Sequence, residues 1–182
     1  MSKGTTIKEA LKKWEEINKK NPTESDIIEL QFQFPPIEKM DSTLGTLINC
    51  KKLSLSTNMI EKISGIAPLK NLKILSLARN NIKNLNGIEV LGETLEELWI
   101  SYNLIEKLSL IEQMKALKVF YIGHNMVKDW NELSKINNAQ KIEDFVFAGN
   151  PIVEALDENE YRNEIMKILI YIKKLDGVPC IR

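Results

Sequence analysis

Apolar and polar positions along the chain repeat in a fixed frame. Between Leu47 and Ile152, apolar residues fall at the first, fourth and sixth places, an asparagine at the ninth and another apolar residue at the eleventh. The copies are Cys50-Leu53-Leu55-Asn58-Ile60, Leu72-Leu75-Leu77-Asn80-Ile82, Leu95-Leu98-Ile100-Asn103-Ile105, Leu117-Phe120-Ile122-Asn125-Val127 and Ile142-Phe145-Phe147-Asn150-Ile152. Their asparagines are spaced 80−58 = 22, 103−80 = 23, 125−103 = 22 and 150−125 = 25 residues apart. Alternation at the fourth and sixth places predicts a short strand with one buried face. Beyond each asparagine, spacings such as Ile60-Ile63-Ile66-Leu69 and Ile105-Leu108-Ile111-Met114 recur every three residues, which suits short 3₁₀ or one- to two-turn helical segments.

A frame of this kind with a period of about 20–29 residues is the leucine-rich-repeat signature. One such strand cannot bury its own face, so neighbouring repeats stack and share a core. The asparagine sits where the chain leaves the strand, and its amide bonds backbone groups that no ladder satisfies. The predicted object is an α/β leucine-rich-repeat solenoid, a single domain over residues 1–182. It has about six short parallel strands along its concave face and a helical cap at each end.

The sixth strand comes from a degenerate first repeat, Ile27-Leu30-Phe32, with Pro35 in the asparagine slot 58−35 = 23 residues before the next copy. Repeats then span residues 27–152. Before them, residues 1–22 carry a capping box at Thr6 and Glu9, with Ile7, Leu11, Trp14 and Ile17 on one helical stripe that ends before Asn21-Pro22. This amphipathic helix covers the first core layer, with Trp14 packing inward. After the repeats, residues 153–182 place Tyr161, Ile165, Ile168, Leu169 and Ile172 on one helical face that Asp176-Gly177 stops. Met166 and Ile170 fall off that face, and the tail from Val178 shows no structural signal.

Charge and cysteines narrow the classes. Lys+Arg and Asp+Glu both number 25, so no global field draws the chain to nucleic acid or an anionic membrane. No apolar run approaches the roughly 18–20 residues of a membrane span, and the start Met1-Ser2-Lys3-Gly4 does not read as a signal peptide. Cys50 occupies a core place in its repeat and Cys180 lies at the far end of the chain, so a reduced, intracellular protein is expected.

Catalytic chemistry is missing from the pattern. His124 is the single histidine, and the sequence has no metal-spaced Cys/His cluster, phosphate loop or nucleophile elbow. The acid pairs Glu96-Glu97 and Glu143-Asp144 sit beside solvent-facing strand positions. The reading is a protein that binds and does not catalyse, with no cofactor and no metal.

The binding face follows from the frame. The place between the buried strand residues reads Gln31, Ser54, Ser76, Trp99, Tyr121, Val146; the place before reads Glu29, Lys52, Ile74, Glu97, Val119, Asp144. Two residues past the last buried one the row is Phe34, Thr57, Arg79, Tyr102, His124, Gly149. Trp99, Tyr102, Tyr121, Val119, His124, Val146, Ile74 and Arg79 are therefore the candidate protein-binding residues. Three clustered aromatics at about 150–250 Å² each are at or above what a soluble monomer leaves bare. Early Lys51, Lys52, Lys73 and Arg79 against later Glu96, Glu97, Glu143 and Asp144 read as a dipolar rim that orients a partner.

Several phrases go beyond what the repeat requires. Thr5-Thr6-Ile7-Lys8-Glu9-Ala10-Leu11, Trp14-Glu15-Glu16, Pro35-Pro36-Ile37-Glu38-Lys39-Met40-Asp41 and Leu55-Ser56-Thr57-Asn58 are among them. So are Ile74-Leu75-Ser76-Leu77, Arg79 to Gly87, Thr94 to Asn103 and Val127-Lys128-Asp129-Trp130. Together they resemble the leucine-rich-repeat light chains of outer-arm axonemal dynein over nearly the whole chain. The resemblance implies a non-catalytic subunit in the axoneme of a cilium or flagellum. It also implies binding to the microtubule-binding stalk tip of a heavy chain, of gamma type, near tubulin, with motor activity and beating tuned as a result. Ile170 stands where related caps often carry a proline. The alternative is a phosphatase-regulating or other repeat scaffold that binds a different protein through the same face.

Overall fold

Each copy of the frame forms a three-residue strand whose middle residue is fully buried. The computed structural model describes residues 4–139 and 141–181; Met1–Lys3 with the polar start, Gln140, and the tail's last residue Arg182 lie outside it. In chain order come α1 (Ile7–Asn18), β1 (Ile27–Glu29), β2 (Lys52–Ser54), β3 (Ile74–Ser76), β4 (Glu97–Trp99) and β5 (Val119–Tyr121). Then follow α2 (Trp130–Ser134), β6 (Asp144–Val146), α3 (Glu158–Ile168), β7 (Lys174–Leu175) and β8 (Val178–Pro179). The strands lie side by side in chain order; β1 to β7 are parallel, and β8 folds back antiparallel on β7. Short 3₁₀ turns at Ser42–Thr46, Ile88–Leu91, Ile111–Gln113 and Lys135–Asn138 carry the three-residue spacing on the other side of the core.

The asparagines form a buried, fully bonded row. Asn58, Asn80, Asn103, Asn125 and Asn150 each accept, on Oδ1, the amide of an apolar residue in the preceding repeat: Ile37, Ile60, Ile82, Ile105 and Val127. Each also donates through Nδ2 to a carbonyl of its own strand and one of the strand before, as Asn103 does to Ile100 and Leu77. The side chain replaces a ladder where the chain turns away from its neighbour, so burial of the amide carries no unmet bond.

The first repeat departs from the expected register. Ile28 and Leu30 are buried and Ile28 pairs with Leu53, whereas Phe32 is 77% exposed. Upstream the offset to the next copy is 53−28 = 25 residues. Downstream Ile37 bonds Asn58 as Ile60 bonds Asn80, which keeps the offset of 60−37 = 23. Two extra residues between Phe32 and Ile37 absorb the difference. The face rows therefore begin at Ile27, Glu29 and Phe32, not at Glu29, Gln31 and Phe34.

A helix stands at each end of the repeats, and each differs from the expectation in one respect. α1 opens on the capping box of Thr6 and Glu9 and buries Ile7, Ala10, Leu11 and Trp14. Ile17, assigned to the same stripe, is 78% exposed because the helix runs past the edge of the core it covers. α3 opens on a second capping box, Asp157 with Glu160, and ends at Ile168, eight residues before Asp176. The chain beyond turns back to the sheet instead, adding β7 and β8, so Val178 and Pro179 lie in a strand and the described residues hold eight strands rather than about six.

Asp176 closes that end. Its Oδ1 accepts the amides of Phe147 and Ala148, and its Oδ2 accepts the Tyr161 hydroxyl. Arg162 donates to the carbonyls of Leu175, Val178 and Pro179, tying the hairpin to α3. Cys50 is buried with its thiol pushed up to about 11, chiefly by burial. An unreactive core thiol is the consequence.

One carboxylate is buried inside the repeats. Glu132 of α2 has a side chain only 5% exposed; it accepts the Leu108 amide and pairs with Lys135 and Lys107. Burial opposes its charge, but Lys135, the Leu108 amide and Lys107 outweigh it and hold the carboxyl below its ordinary value. A carboxyl depressed on folding stabilises the protein above its ordinary value near 4.3, and that contribution is lost as pH falls through the folded value. Glu132→Gln is expected to cost about 1–3 kcal/mol at pH 7. Urea unfolding should show the gap from the parent narrowing below about pH 4; an equal gap at pH 3 and pH 7 would show that the charge contributes nothing.

Candidate protein-binding site

The sheet face turned away from the core carries three rows of side chains, set by strand alternation and pairing register. The row before the buried residue reads Ile27, Lys52, Ile74, Glu97, Val119, Asp144; the row after it reads Glu29, Ser54, Ser76, Trp99, Tyr121, Val146. The third row lies where each strand ends. Phe32, Thr57, Arg79, Tyr102 and His124 all take φ between 53° and 58°, and Gly149 takes 78°. A shared left-handed turn aims these side chains the same way at every step of the stack.

The candidates meet in two groups. Trp99 and Tyr121 stack with ring centres 6.1 Å apart at 17°. Their polar atoms reach back to the first row: Trp99 Nε1 donates to Glu97 and the Tyr121 hydroxyl to Asp144. Both rings are therefore tethered to the first row instead of standing free. Burial first, then Asp144, raises the Tyr121 phenol above its ordinary value, so it stays a donor. Arg79, Tyr102 and His124 form the second group. The Arg79 guanidinium lies 4.2 Å from the Tyr102 ring centre, and Tyr102 stacks on His124 at 4.3 Å and 10°. Gly149 ends this column, because a β-carbon there would fall 2.3 Å from His124 Nδ1. Val146 adjoins Tyr121 in the second row.

Between the aromatic rows, two residues past the end of each strand from β2 to β6, lie Ser56, Ala78, Ser101, Gly123 and Ala148. Sequence reasoning passed over this row; its signal was the small side chain in every copy. Lys52, assigned to the rim, belongs to the site, with its Nζ 5.7 Å from the Trp99 ring centre.

The dipolar rim is corrected. Glu96 pairs with Lys73 and Lys118, Glu143 with Lys173, and Asp144 with Lys174. Three of the four later acids thus meet a lysine one strand away, which weakens the split that the sequence shows, while Glu97 accepts the Trp99 indole N–H instead. Lys118 and then Lys73 hold the Glu96 carboxyl below its ordinary value, though its exposure leaves this screened.

Comparison with known proteins adds family to geometry. A family model described as Leucine Rich repeats (2 copies) matches residues 93–135. Dynein axonemal light chain 1 of Xenopus laevis is 58% identical, with 100% of this chain and 95% of the relative covered. The Homo sapiens protein of that name is 57% identical (100% and 96%), and that of Chlamydomonas reinhardtii 50% identical (98% and 92%).

The chain belongs to the axonemal dynein light chain 1 family.

Coverage of this extent takes in both ends of the chain and every row of the sheet face, so the likeness is not confined to the repeat. Solved structures of other leucine-rich-repeat proteins carry the fold alone. A Leptospira interrogans leucine-rich-repeat protein aligns at a TM-score of 0.63 and 24% identity over 81% of this chain and 36% of its own. A Listeria monocytogenes internalin aligns at 0.58 and 21% over 76% and 59%.

Proposed function

We propose that this chain is a non-catalytic light chain of ciliary outer-arm dynein that docks on the microtubule-binding stalk tip of a gamma-type heavy chain. Family membership supports the dynein light chain role and the axoneme of a cilium or flagellum as its place. The observation that carries the docking face is the pair of aromatic groups, Trp99 with Tyr121 and Arg79 with Tyr102 and His124, on one side of a rigid sheet. Tyr, Trp and Arg are the residue types that dominate binding energy at interfaces. Hydrogen bonds from Trp99 and Tyr121 to Glu97 and Asp144 fix the rings before a partner arrives, which lowers the ordering cost of binding.

The mechanism is positional. A rigid body held at the stalk tip adds or blocks tubulin contacts. It shifts the motor's weak and strong microtubule states by its differential affinity for them. That shift tunes motor activity and beating. The partner is a protein; the balanced charge gives no basis for nucleic acid.

Calorimetric titration with a recombinant heavy-chain stalk-tip domain tests the reading. The double variant Trp99→Ala/Tyr121→Ala is expected to lose about 2 kcal/mol or more, roughly 30-fold in Kd, while keeping the parent's circular dichroism. Unchanged affinity would move the interface off this face, and no binding by the parent protein would remove the partner.

A further inference from the structure

The two ends of the sheet are finished differently. At one end β8 covers β7 with its own hairpin, and Pro179 removes a donor from the outer strand. At the other, β1 ends the sheet. The amides of Leu30 and Phe32 donate to the carbonyls of Ser54, which ends β2, and Ser56 just beyond it, so those of Glu29 and Gln31, by alternation, point to the open side. An uncovered edge of this kind is a template for another strand.

The open edge faces a groove. A cavity of about 330 Å³ lies between β1 and α1, lined by Lys13, Trp14 and Ile17 on the helix and by Glu29, Gln31 and Gln33 on the strand side. Phe32 and Phe34, which interleave with the strand-side lining, are 77% and 88% exposed, and Ile17 is 78% exposed. A groove walled by a helix on one side and the open edge of β1 on the other suits strand addition. Main-chain bonds to the edge supply affinity, and pockets for alternate side chains supply selectivity.

We propose that this groove takes an extended segment of the partner docked on the sheet face, pairing with β1 and setting alternate apolar side chains against Trp14 and Ile17. The inference rests on the proposed function. Continuity supports it, since Ile27 heads the row of Ile74 and Val119, and Phe32 heads the row of Arg79, Tyr102 and His124. Area argues against a second copy of this chain. At about 150–250 Å² per aromatic the two phenylalanines leave about 300 Å² bare. A stable dimer buries about 800 Å² on each partner. The patch is the size of an extension to a larger interface.

Amide hydrogen exchange by NMR, on the parent protein alone and with the stalk-tip domain, tests the proposal. Slowing of the Glu29 and Gln31 amides by tenfold or more on complex formation, with a loss of affinity of tenfold or more for Phe32→Ser/Phe34→Ser, is the expected result. A complex that forms with these two amides unchanged overturns strand addition and leaves the sheet-face docking intact. Absence of any complex overturns both. Slowing of the same amides with protein concentration alone assigns the edge to a second copy and overturns the proposal; sedimentation velocity reads that association directly.

Discussion

Asn103→Ala will lower the unfolding free energy by about 3–5 kcal/mol, close to the largest single effect this chain can show. The substitution leaves the Ile82 amide without its acceptor and removes donors from the Leu77 and Ile100 carbonyls, all in the core. Each buried polar group left unpaired costs about 1–3 kcal/mol, and the cavity adds to it. The loss falls at the junction of two repeats, where the stacking term that holds a solenoid together resides. Asn103→Asp separates bonding from shape. It keeps the side-chain volume but turns an acceptor towards two carbonyls, so it should match or exceed the alanine variant at pH 7. Burial and the facing carbonyls raise the new carboxyl's pKa above its unfolded value. Protonation restores a donor, and stability should recover relative to the alanine variant as pH falls. Urea unfolding at pH 7 and pH 4 reads both effects; a loss under about 1 kcal/mol for Asn103→Ala would show that the ladder is not a stabilising device.

Asp176→Ala is expected to cost about 3–5 kcal/mol and to loosen the C-terminal cap before the repeats. The carboxylate accepts the amides of Phe147 and Ala148 and the Tyr161 hydroxyl, which lies 2.5 Å away. Its removal strips the last repeat strand and α3 of a common anchor. Asp176 also has φ of 48°, a conformation that costs alanine about 1–2 kcal/mol more than glycine. Asp176→Asn tolerates that backbone and keeps an acceptor, so its cost should be about 1–2 kcal/mol. Burial first, then Asp176, raises the Tyr161 phenol well above its ordinary range, which keeps it protonated and donating. Hydrogen exchange should show faster opening of residues 144–148 and 158–168 in the alanine variant, with β2 to β4 unchanged. Uniform destabilisation along the chain would mean that the cap and the repeats unfold as one unit.

These two residues differ in how far their roles are written in the sequence. Asn103 is legible because its role is local and repeated: the same frame recurs at every step, and alternation fixes which residues are buried. The sheet-face rows follow from the same arithmetic, so the repeat frame alone sets Trp99 beside Tyr121 and Tyr102 beside His124. Asp176 is legible only as the end of a helix. Its work depends on Phe147, Ala148 and Tyr161, groups that approach it from 15 to 29 residues away.

By itself the sequence determined the repeat period, the strands and their buried faces, the asparagine row, the N-terminal capping box and the composition of the open sheet face. All of these arise from interactions within one period, or between identical places in successive periods. Tertiary structure alone decided the register of β1, the length of α3, the C-terminal hairpin and the pairing of the rim charges. In β1, Leu30 with Ile28 or with Phe32 satisfies alternation equally well, and only pairing with Leu53 selects the former. β7 and β8 are two residues each, too short to carry a pattern, and form because β6 offers an open edge. Lys73, Lys118, Lys173 and Lys174 pair with Glu96, Glu143 and Asp144 across gaps of 22 to 30 residues, a distance over which only the stacked fold brings charges together.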